Sequence, residues 1–153
     1  MRLLRVCLPA LLLSGAAAFA EDFTDFTQGM KYTDQAASAL RKMEKKTGPQ
    51  AVRAAEGLGG VYEEMIGFFR QRGAQDAVKL AEDGKAAATK LASAAFANDA
   101  EGADAAFKAV SATCRPCHDA YRSRAADGKY HFKTATERSA APAPAKPAAP
   151  QKK

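Results

Sequence analysis

Residues 114–118 read Cys-Arg-Pro-Cys-His, which places two thiols and an imidazole within five positions. Three chemistries use such a set. A dithiol can cycle with a disulfide, cysteines and histidines can hold a metal ion, and a Cys-x-x-Cys-His run can tether haem. The elements that must position Cys114, Cys117 and His118 separate the three.

A Cys-x-Pro-Cys sequence resembles a thioredoxin-type redox site, which opens a helix directly after a strand. Here the preceding chain is patterned as helix, and no later proline within the expected fold can supply the cis-proline such sites use. A structural zinc ion takes four ligands. Besides Cys114, Cys117 and His118, the chain beyond its N-terminus offers only His131, and His118 adjoins Cys117 too closely for one tetrahedral centre. Haem uses every residue of the motif. On a helix, positions i, i+3 and i+4 share a face. Cys114 and Cys117 can therefore form thioethers to one porphyrin, with His118 beside the ring to ligate the iron.

Both ends of the chain read as lying outside the fold. Arg2 and Arg5 precede the apolar run Val6–Phe19, and Ala18-Phe19-Ala20 offers a cleavage site before Glu21. That layout is a secretory signal peptide over residues 1–20, and the run is short for a membrane span. Its removal takes away Cys7, leaving Cys114 and Cys117 as the mature cysteines. It also takes Arg2 and Arg5 from the 23 basic side chains, leaving 21 against 17 acidic. A mild excess with no dense basic block argues against nucleic acid as a partner. Residues 136–153 form an Ala/Pro/Lys-rich tail, which is a solvated, extended composition.

Between these ends, residues 21–135 are expected to form one domain, an all-α antiparallel four-helix bundle. Phe26, Met30, Ala37, Leu40 and Met43 keep a three-and-four rhythm that stops at Thr47-Gly48-Pro49. Val52, Ala55, Leu58, Tyr62, Met65 and Phe69 repeat it up to Gly73. Ala77, Leu80, Gly84, Ala87, Leu91 and Ala94 make a thinner stripe ending near Asn98. Asn98 or Asp99 can cap a last helix whose Ala103, Phe107, Val110, Cys114, Cys117 and Tyr121 share a face. Gly57, Gly59, Gly60 and Gly67 mark either an interruption of the second helix or a close approach to something bulky. Many interior positions are alanine, so the helices must lie very close or enclose an apolar guest such as a porphyrin.

The motif on the last of four alanine-rich helices, within "FKAVSATCRPCHDAYR", resembles the cytochrome c′ family, the class II c-type cytochromes. The resemblance implies one covalent haem c on the last helix, attached through Cys114 and Cys117, with His118 as proximal iron ligand. Arg122 matches a basic residue common after the family's motif; it faces a haem propionate or is a solvated arginine. Low-spin members use a first-helix methionine as sixth ligand. Met30, in "FTQGMK", is the candidate here, and a core-filling role is the alternative. The chain also departs from the family. Pro116 interrupts what should be a regular helix and predicts a kink or loosening before His118. The link between the second and third helices is short. Where many members carry an arginine four residues before the distal ligand, this chain has Phe26.

The expected function is electron transfer by a periplasmic monohaem cytochrome with a redox partner protein of unknown identity, and not an enzyme. The alternative is a five-coordinate haem protein that binds nitric oxide or carbon monoxide. A peroxidase would want a distal acid–base group, and His131 in "DGKYHFK" lies beyond the fourth helix as a loop histidine. No transmembrane span is expected after signal cleavage. Members of the family often form homodimers through their first two helices, which makes a homodimer one expectation.

Overall fold

The computed structural model describes residues 18–133 and Arg138, with side chains from Phe26 onward. Of the expected signal peptide at 1–20, residues 1–17 lie outside the described residues, as does the expected tail at 136–153 apart from Arg138. Four helices follow one another: α1 (Ala18–Lys42), α2 (Pro49–Gln71), α3 (Gln75–Phe96) and α4 (Ala100–Tyr121). The expected all-α four-helix bundle is therefore the architecture. The anticipated cleavage point after Ala20 falls within the first turn of α1.

The helix ends follow from local chemistry. Gly48 precedes α2 with a positive φ of 82°, and its N–H donates to the Ala95 carbonyl at 3.1 Å. Pro49 then starts the helix at a position where its missing N–H costs nothing. α2 and α3 both stop in the turn in which the chain doubles back on its last carbonyls. Ala74 N donates to Phe69 O and Asp99 N to Ala94 O, after a left-handed residue at Gly73 and Asn98 respectively. The Asp99 carboxylate accepts from Gly102 N at 2.9 Å and opens α4. α2 runs unbroken through Gly57–Gly60, so no interruption occurs there. α4 likewise runs unbroken through Pro116 to Tyr121, and the expected loosening before His118 does not break the helix.

α1 packs on α2, α2 on α3 and α3 on α4, whereas α1 and α4 make scarcely any close backbone approach. The backbones are thus closest along α2–α3 and α3–α4, less close along α1–α2, and farther apart between α1 and α4. The α2–α3 seam is tightest because of Gly84. A Cβ there would meet the Tyr62 ring at 2.3 Å, so only glycine lets that ring lie flat on α3. The core is alanine-rich, with Leu40, Leu58, Phe69, Leu91 and Val110 as its largest fully buried side chains. Lys46, its side chain 12% exposed, ties the α1–α2 link to α4 through Asp104 at 2.6 Å and lies over the Phe107 ring.

The chain does not end its fold at α4. Strand β1 (Arg122–Arg124) pairs antiparallel with β2 (Tyr130–Phe132), Arg122 opposite Phe132. This short hairpin is appended to the expected all-α bundle and leaves that architecture unchanged. Among the described residues no helix is long and apolar enough to cross a membrane.

Candidate functional site

Cys114, Cys117 and His118 stand on the last two turns of α4, on consecutive positions of one face. Both cysteines are free and half-buried. Cys117 packs against the core, and burial is the main reason its thiol is pushed up to about 11. Cys114 Sγ leans toward the Val110 carbonyl at 3.8 Å. The His118 ring is half-buried and makes no hydrogen bond among the described residues. Burial first, then the Arg122 cation, holds its pKa below the ordinary histidine value, with Asp119 opposing. The favoured form is the neutral imidazole, whose lone pair is the one that binds a metal.

Two tyrosines fix the position of this turn. The Tyr62 hydroxyl, on α2, shares a 2.8 Å hydrogen bond with Thr113 Oγ1, and Thr113 donates to the Val110 carbonyl at 2.8 Å. Burial pushes the Tyr62 phenol up to about 12. The contact adjoins Cys114, so the ring seated on Gly84 sets where α4 presents its first thiol. Tyr121 Oη, at the other end of the motif, donates to Asp76 Oδ1 in the first turn of α3 at 2.5 Å. Sequence reasoning placed both tyrosines in helical stripes and missed their role. The partners are 51 and 45 residues away, and no local signal announces them.

Phe69 of α2 touches a ring on each side, Phe26 of α1 at 5.6 Å and Tyr121 of α4 at 5.1 Å. Met30 is half-buried against the core. Arg122 caps α4 and is exposed, its guanidinium over the Tyr130 ring at 4.3 Å. His131 lies in β2, opposite Ser123. Among the described residues no three His, Cys, Asp or Glu side chains converge on a common point.

The site therefore joins two free thiols and a half-buried imidazole on one face of α4. Residues 72–122 match the cytochrome c′ family model. The match covers a third of the 153 residues and supports the resemblance read from the motif. It takes in α3, α4 and the whole of Cys114–His118, while α1 with Met30 and strand β2 lie outside it. No curated protein and no solved structure matches the chain. Cytochromes c′ bind covalent haem c, which is consistent with one haem c at the single Cys-x-x-Cys-His set. The residues present fit that group in their donor set, two thiols and an adjacent imidazole on one helix face.

Proposed function

We propose that the chain is a periplasmic monohaem c-type cytochrome that transfers electrons to and from a partner protein. Cys114 and Cys117 hold the porphyrin by thioethers, His118 ligates the iron, and Met30 is the sixth ligand. The observation that carries this reading is the pair of free, half-buried thiols followed directly by a half-buried imidazole on one face of α4. Haem c would supply an iron that accepts one electron from a reductant and passes one to an oxidant. The protein's residues do the rest. Tyr62 and Tyr121 hold the α4 turn in place, the two cysteines fix orientation, and burial of His118 keeps its lone pair free. Arg122, at the end of the same helix, can neutralise a propionate.

Met30, half-buried against the core on α1, supports the six-coordinate reading. The rings of Phe26, Phe68 and Phe132 one turn away favour a second reading, an apolar distal side that admits nitric oxide or carbon monoxide.

A pyridine haemochrome spectrum of the purified protein tests the reading. It should show haem c that resists acid–acetone extraction, and replacing both cysteines by alanine should release it. Extractable haem, or none, would refute the proposal. Met30→Ala separates the two functions. It should convert a low-spin ferric spectrum to high-spin and open the ferrous iron to carbon monoxide. An already high-spin protein that is indifferent to the substitution supports gas binding.

A further inference from the structure

We infer that the hairpin after α4 closes the end of the α1–α4 seam, and that Phe132 on it decides which small molecules reach the site. The inference rests on the haem reading above, but its observations concern the chain's own residues. β1 begins directly at the C-cap of α4, and the hairpin register returns Phe132 alongside that helix end. The return is fastened on both sides. On the α4 side, Lys133 N donates to the Tyr121 carbonyl at 2.8 Å and Lys133 Nζ to the Asp119 carbonyl at 2.5 Å. These are last-turn carbonyls that a helix leaves without partners. On the α1–α2 side, the Phe132 ring lies 4.8 Å from Phe26 and stacks on Phe68 at 5.3 Å.

Phe132 therefore bridges from α4 to α1, where the two backbones lie farther apart. It does so one helical turn from Met30 and at the level of Tyr121, three residues beyond His118. Phe26, the position where many family members carry an arginine, is its direct partner. Where the polar contact of that arginine is expected, a cluster of half-buried aromatic rings stands instead. The remainder of the hairpin contributes little to its docking. Residues 124–127 and 129–130 are exposed. A two-stranded hairpin is marginal by itself, so Phe132 and Lys133 set how often it opens.

The chemistry sealed off is that of small, diatomic or anionic ligands and water. The restriction is steric and dielectric. A ring stack that opens rarely lowers the association rate of carbon monoxide with ferrous iron. Dry surroundings also favour the less charged, reduced centre, because potential depends on solvent exposure.

The test uses the full-length holoprotein with Met30→Ala as the common background, which leaves the sixth position open to carbon monoxide, and three variants made on that background. Phe132→Ala removes the stack, Phe132→Leu keeps an apolar side chain there, and Gly128→Val strains the turn without touching the ring cluster. Gly128 has a φ of 81°, a conformation that a β-branched residue resists. Loss of the ring contacts should raise the carbon monoxide association rate on the order of tenfold in Phe132→Ala and in Gly128→Val. Both variants should show a lower reduction potential and faster tryptic cleavage after Arg124. Phe132→Leu should stay near the Met30→Ala background in all three readouts. If haem is covalently bound by the haemochrome criterion and Phe132→Ala or Gly128→Val leaves rate and potential unchanged, the hairpin does not guard the site. A wild type without covalent haem overturns the reading of the site and this inference with it, and the haemochrome spectrum alone distinguishes that outcome.

Discussion

At the scale of single residues, the motif is held by contacts of quite different kinds, and their removal should cost different amounts. Tyr62→Phe deletes one hydroxyl whose partner, Thr113, still donates to Val110. The loss should be about 0.5–1.5 kcal/mol, read as a lower urea midpoint with an unchanged slope. Gly84→Ala is worse, because its Cβ would collide with the buried Tyr62 ring. Overpacking of this kind should cost about 1–3 kcal/mol, and it should also disturb the α4 turn that Tyr62 braces. Gly57→Ala makes a useful contrast. There the Cβ would meet Tyr32, but that side chain is 41% exposed and can swing away. The substitution should be near neutral, or stabilising by up to about 1 kcal/mol from helix propensity. Asp104 brings a pH dependence. The Lys46 ammonium holds its carboxyl below the usual value, chiefly through their hydrogen bond. A depressed carboxyl stabilises the fold above the unfolded pKa and loses that contribution as pH falls through the folded one. Asp104→Asn should therefore flatten the acid limb of stability, measured as urea midpoints between about pH 6 and pH 3.

At the scale of elements, α4 carries both the chemistry and a flaw. Pro116 removes one backbone donor inside a helix that nevertheless continues to Tyr121. The neighbours compensate. Tyr62 and Thr113 brace the turn before it, and Tyr121 with Asp76 anchors the turn after it. Pro116→Ala restores the missing donor and should stabilise the protein, by at most about 3 kcal/mol, seen as a rise in Tm. A fall in Tm would mean that the proline's geometry is needed for the packing of α4. The hairpin is the opposite case. It holds its own turn by short-range bonds such as Ala125 N to Lys129 O, and Phe132 and Lys133 fasten it to the bundle.

At the scale of the whole molecule, charge is segregated along the chain. Residues 21–114 carry fourteen acidic and twelve basic side chains, while residues 115–138 carry six basic and three acidic. The basic excess thus gathers where α4 and the hairpin present the motif. Exposed ion pairs such as Arg115–Asp119 at 3.5 Å offset it only weakly. Electron exchange with a small anionic oxidant should therefore slow as salt rises through the range where the Debye length falls below about 10 Å. Exchange with a cationic oxidant should speed up or stay level. The same slope for both reagents would show that the basic end is not where electrons leave.

The sequence by itself determined the four helices and singled out Cys114, Cys117 and His118 as one set on the last of them. Helical periodicity and breakers such as Gly48-Pro49, Gly73 and Asn98-Asp99 are local signals, and the motif packs its whole meaning into five residues. Tertiary structure alone decided the rest. Gly84 reads as a weak helix residue until the Tyr62 ring is found lying on it. Phe26 reads as a missing arginine until Phe68 and Phe132 are found around it. The strands of the hairpin are three residues each, too short to show an alternation, and their stability comes from contacts to α1, α2 and the end of α4. Each of these contacts joins positions far apart in the chain. Local pattern records which face of an element is apolar, but not which distant side chain will cover it.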